Sequence, residues 1–95
     1  MSIPDFLVHE TNDTVGVIVV EGIEAGQKLS GWLMETDGDI SIQANDPIPL
    51  GHKIALGDIN DGDTILKYSH DIGEAVADIG KGHHVHTHNV KTKRW

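Results

Sequence analysis

A single, mostly β domain of short strands joined by tight turns, spanning residues 1–95, is what the sequence predicts. Three observations lead there. The pattern apolar-x-x-Gly-x-x-apolar recurs, at Ile23–Leu29, Ile48–Ile54, Ile59–Ile65 and Ile79–Val85. Each copy reads as a strand end, a tight turn with Gly where φ is positive, and the start of another strand. The apolar runs are short and rich in β-branched residues, which suits strands. Only Ile72–Ile79 has helical spacing, and its early Gly73 limits a helix there to a turn or two.

Taken in order, Phe6–His9 forms a first strand, followed by Glu10–Thr14, whose short polar side chains favour a turn. Val15–Val20 is a buried strand that lies near His9. Gly31–Met34 and Asp39–Gln43 flank Glu35-Thr-Asp-Gly38, a hairpin with Asp-Gly at its tip. Asp46-Pro-Ile-Pro-Leu50 is loop, because proline donates no ladder hydrogen bond. Thr64–Tyr68 is a further strand. The spacing of the glycine turns is too irregular for a solenoid, so they are turn chemistry reused within one domain.

Composition narrows the function. A formal charge of −8 argues against nucleic acid, since phosphate binding needs basic surface. There is no cysteine, which excludes disulfides and thiolate chemistry and fits a reducing compartment. Met1–Phe6 has no features of a signal peptide, and the apolar run Val15–Val20 is far too short to span a bilayer. The expectation is a soluble, cytoplasmic domain. So short a chain has little room for a complete catalytic pocket, so a partner chain is expected to help.

The chemistry gathers near the C-terminus. His83, His84, His86 and His88 fall within six residues, and no acid follows Asp78, whereas Lys81, Lys91, Lys93 and Arg94 do. On an extended strand His84, His86 and His88 share one face. Two imidazoles at i and i+2 can aim at one transition metal, and an open coordination position would make such a site catalytic. His84, His86 and His88 are therefore candidate metal ligands, with His86 and His88 as candidate acid–base groups. The basic residues around them mark where an anion docks on an otherwise acidic chain. His52 and Lys53, in a glycine turn, are candidate substrate contacts, as is Lys81. His9 and His70 carry no spacing signal. A cupin would require a downstream Glu and a later His, which Asn89–Trp95 lacks.

Ala25-Gly26, Pro49-x-Gly51-His52-Lys53-x-Ala55-Leu56, Gly62-Asp63-x-Ile65-x-Lys67-Tyr68, Ile72-Gly73 and Gly82-x-His84-Val85-His86-x-His88-Asn89 stand in an order similar to that of the SAF domain of altronate and galactarate dehydratases. The resemblance covers residues 5–90 and implies a β-clip fold. The stand-alone length and the Lys91-Thr-Lys-Arg-Trp95 ending resemble the small subunits of two-subunit carbon–sulfur lyases of this family. For such a subunit the resemblance implies removal of sulfite from 3-sulfolactate to give pyruvate, together with a separate large subunit. It also implies a divalent metal, iron(II) in the family, although imidazole ligation alone admits zinc or manganese. The alternatives are a sugar-acid dehydratase subunit or N-terminal domain, and a non-catalytic module that binds a sugar acid or a metal.

Overall fold

The computed structural model describes residues 3–67 and 70–91. Among these there is no helix, and none is long and apolar enough to cross a membrane. The strands are β1 (Phe6–Val8), β2 (Val15–Ile18), β3 (Lys28–Leu33), β4 (Gly38–Gln43), β5 (Lys53–Ala55), β6 (Thr64–Lys67), β7 (His70–Ala75), β8 (His84–Val85) and β9 (Val90–Lys91). Six form one sheet in the order β4-β3-β1-β2-β5-β8, and three form another in the order β6-β7-β9. β1 and β3 run parallel, and the other pairs are antiparallel.

The four glycine turns are the frame. Gly26, Gly51, Gly62 and Gly82 have φ of 89, 86, 91 and 85°, the third-residue conformation of a type II turn. Each turn closes with its own bond: Gln27 N–H to Glu24, His52 N–H to Pro49, Asp63 N–H to Asn60 and His83 N–H to Gly80 carbonyls. Each glycine N–H then reaches a carbonyl on another segment, of Ala44, Ile18, Ala75 and Ala55 respectively. The turns come in pairs, because their leading isoleucines bridge, Ile23 to Ile48 and Ile59 to Ile79. The apolar residues that bound the turns are all buried, Ile23, Leu29, Ile48 and Ile54 in one core cluster and Ile59, Ile65, Ile79 and Val85 in the other. A local turn signal thus also seeds both cores.

Gly82 is the most confined of the four. A Cβ there would collide with the Gln43 carbonyl and lie 2.9 Å from Asn45 Nδ2. Gly82→Ala is expected to destabilise the chain by about 2–4 kcal/mol, from left-handed strain plus overpacking. Urea unfolding of the variant against the parent measures it; an unchanged midpoint would contradict the argument.

The hairpin forms as expected, with Asp37 at φ 55° beside Gly38 and the Trp32 indole N–H donating to Asp37 Oδ1 at 2.8 Å. The helical turn over Ile72–Ile79 does not form. Residues 70–75 are strand β7, paired on one side with β6 and on the other with β9. Two strand partners satisfy the backbone of so short a segment, where an isolated helical turn would have cost nucleation. Tyr68 and residues 92–95 lie outside the described residues.

Candidate functional site

The site grows from the pairing of β5 with β8. Their register sets Lys53 opposite Val85 and Ile54 opposite His84. Extending that register by one residue places His52 opposite His86, and directly opposed residues of an antiparallel pair share a face. The rings obey it: His52 and His86 stack with centroids 3.7 Å apart and planes 13° apart. His84, the diagonal neighbour, brings its Nε2 to 2.7 Å from His52 Nδ1, a hydrogen bond in which one ring must donate. His88 lies against His84, with centroids 4.9 Å apart. The strand ends at Val85, however, and residues 86–89 form a turn. His88 therefore does not continue a strand face with His84 and His86. It sits exposed at the rim of the cluster.

Asn89 makes the turn. Its Oδ1 accepts from His86 N–H at 3.0 Å, its Nδ2 donates to the His84 carbonyl at 2.8 Å, and its own N–H donates to the His86 carbonyl. Asp46 holds the other side, its Oδ2 2.9 Å from both the His84 N–H and His83 Nδ1. The His84 N–H, then His83, hold the Asp46 carboxyl below its usual range against an opposing effect of burial. Sequence reasoning gave neither residue a role. An Asx side chain capping a turn is a local signal that marks Asn89 in retrospect, whereas Asp46 meets the histidines only through a contact 38 residues away.

His52, His84 and His86 each present a ring nitrogen within 4.8 Å of the others. Imidazole donors of this kind suit a divalent transition metal. Two ring nitrogens on one tetrahedral ion stand about 3.4 Å apart, from metal–nitrogen bonds of about 2.1 Å. The 2.7 Å pair must therefore open slightly. Lone pairs lie in the ring plane, so the stacked His52 and His86 converge on one ion only after one ring turns. Rotation about the terminal torsion is soft, and all three rings are part-exposed, which permits that change. The donor set fits a metal.

Burial, then the neighbouring His88, His52 and His86, lower the His84 pKa, with Asp46 opposing. Burial, then His52, Lys53 and His88, lower that of His86. Both rings are thus neutral near pH 7, the form that ligates a metal or accepts a proton. The unfolded chain, with ordinary imidazoles near about 6.5, binds more protons than the folded one as pH falls below that value. The metal-free chain should therefore lose stability between about pH 7.5 and 5.5. Urea midpoints at the two pH values test this, and the double change His84→Gln and His86→Gln should flatten the difference.

Beside the cluster a cavity of about 410 Å³ opens between the two sheets. His86 lines it with Lys53, Thr87 and Val85 from the β5–β8 side, and Lys67, Ile72 and Val90 from the three-stranded sheet. Burial, then the nearby Lys67, lower the Lys53 pKa. Of the sequence candidates, the fold thus brings together His52, His84, His86, Lys53 and, at the rim, His88. Lys81 is exposed in its glycine turn, its N–H bonded to Asp58 and its carbonyl to Asn45, and it does not line this cavity. His9 and His70 lie outside the cluster of rings.

The altronate/galactarate dehydratase SAF domain matches residues 4–93. The chain is 56% identical to the (2R)-sulfolactate sulfo-lyase subunit alpha of Chromohalobacter salexigens over 91 residues, covering 96% of this chain and 97% of that one. It is 52% identical to the subunit of the same name from Paracoccus pantotrophus over 59 residues, 62% of this chain and 88% of that one. The altronate dehydratase of Bacillus subtilis is 36% identical over 85 residues, 90% of this chain but 16% of that enzyme.

Proposed function

The chain belongs to the SAF-domain family of altronate and galactarate dehydratases, and from that premise we propose that it is the small subunit of a (2R)-3-sulfolactate sulfo-lyase, active with a separate large subunit. The observation that carries the chemistry is the imidazole cluster of His52, His84 and His86, which through His86 reaches a cavity that two lysines also line. The near full-length similarity to two sulfo-lyase alpha subunits favours this substrate over a sugar acid. A cytoplasmic location for the subunit pair accords with the cysteine-free sequence.

The reaction removes the C2 proton of a 2-hydroxy acid, giving an enediolate. The C3–S bond then breaks with its electron pair leaving on sulfur as sulfite, and the enol tautomerises to pyruvate. His52, His84 and His86 would hold the divalent metal, which when bound supplies positive charge toward the substrate carboxylate and 2-hydroxyl. Iron(II) is the metal the family resemblance favours, and metal analysis of the purified complex decides between it, zinc and manganese. A neutral imidazole accepts or returns a proton near pH 7, a role for whichever of His86 and His88 is not engaged by metal. Asp46 and Asn89 orient the rings through the backbone of residues 83–86. Lys53 attracts the anionic substrate, and Lys81 would draw it in from the surface.

Co-expression with the large subunit, followed by assay for sulfite and 2-keto acid from 3-sulfolactate and from altronate, tests the proposal. Sulfite release supports it. Turnover of altronate alone would make the chain a dehydratase subunit, and turnover of neither by an intact complex would leave a binding module.

A further inference from the structure

The cavity between the sheets has an unusual charge for this protein. The chain carries fifteen acids, yet among the described residues lining the cavity there is no carboxylate, and two lysines and an imidazole are there. Lys53 comes from β5 in the larger sheet and Lys67 from β6 in the smaller, so the two cations approach one space from different walls. They stand 14 positions apart in sequence, in separate motifs. Two lysines lining one part-buried space make its potential positive, and an anion entering there is attracted to both. Ile72, Val85 and Val90 make the remaining wall apolar, which strengthens a charge-assisted hydrogen bond by keeping water out. Thr87 adds a hydroxyl donor. His86 belongs both to this cavity and to the imidazole cluster.

We propose that Lys67 and Lys53 form an anion subsite that takes the sulfonate of the substrate and then the departing sulfite. The identification of the anion rests on the sulfo-lyase function proposed above. A 3-sulfolactate molecule carries charge at both ends, and the two halves of the site match them. Its carboxylate and 2-hydroxyl lie toward the imidazoles, and its sulfonate lies toward the lysines. As the C3–S bond breaks, the electron pair moves onto sulfur, and the negative charge on the leaving group increases between the two ammonium groups. Lys67 is thereby a contact that positions the anionic group on C3 of the substrate.

The test uses the reconstituted two-subunit complex and the free 95-residue chain. In the complex, Lys67→Met should raise KM for 3-sulfolactate roughly 10- to 100-fold, the scale of one charged hydrogen bond. Inhibition by added sulfite should weaken by a similar factor, while inhibition by lactate, which has no sulfonate, stays within about twofold. Lys67→Arg should recover most of the loss, and Lys28→Met, on β3, should change nothing. Independently of the partner, methanesulfonate added to the labelled free chain should shift amide resonances near Lys53, Lys67 and His86, and Lys67→Met should abolish those shifts. A dispersed amide spectrum of each variant establishes that it is folded. Unchanged KM and unchanged sulfite inhibition in folded Lys67→Met would overturn the subsite. If the parent complex releases no sulfite from 3-sulfolactate, the sulfo-lyase function fails instead, and the methanesulfonate titration alone decides whether the lysines bind a sulfonate.

Discussion

His86→Ala is expected to lower turnover by the reconstituted complex by on the order of 10²-fold or more, the scale of losing a metal ligand or a general acid–base group. Stability should change little, because the ring is part-exposed and contributes no apolar bulk to either core cluster. His86 is the one ring shared between the imidazole trio and the cavity, so its loss touches both halves of the site. His84→Ala and His52→Ala should fall in the same range. His88→Ala should lower the rate while leaving metal content intact, since His88 lies tilted against His84 at the rim and is not one of the trio. His70→Ala, at the start of β7, is the control and should be near neutral. Metal analysis beside the rate assay separates the roles. Retained metal with lost activity in His86→Ala would move that ring from ligand to proton carrier. Full activity in the double variant of His86 and His88 would end the catalytic assignment and leave a binding module.

The purified small chain alone is expected to turn over neither 3-sulfolactate nor altronate. It brings one imidazole and two lysines to the cavity, but no carboxylate lines it among the described residues. The nearest acid at the cluster, Asp46, is already engaged by His83 and the His84 backbone. Three imidazoles can hold a metal with an open position, but the second-sphere carboxylates that orient such ligands would have to come from a large subunit. Rates with and without the large subunit, at equal small-chain concentration, measure this dependence. Sulfite release by the small chain alone would place the complete catalytic set on these residues and refute the two-subunit arrangement.

The two lysines illustrate what sequence reading misses. Lys53 stands beside His52 in a glycine turn and Lys67 stands in the Gly62–Tyr68 motif, but neither stretch points to the other. Only the packing of the three-stranded sheet against the β5–β8 edge makes them neighbours. The misread segment Ile72–Ile79 has the same origin. Its apolar spacing suits either a helical turn or a strand, and pairing with β6 and β9 chose the strand.

What the sequence determined by itself is the local part of the protein. Four glycines at positive φ, each three residues from a buried apolar partner on either side, specify four type II turns and most strand starts, because a tight turn depends only on neighbouring residues. The same local logic singled out the histidine run and its i, i+2 pair. What the tertiary structure decided is which side chains meet. His52 joined His84 and His86 because β5 and β8 are antiparallel in one register, and a shift of one residue would have turned His52 to the other face. His88 left that face because Asn89 ended the strand in a turn. Register and sheet packing are set by burial between segments distant in sequence, and no local pattern encodes them.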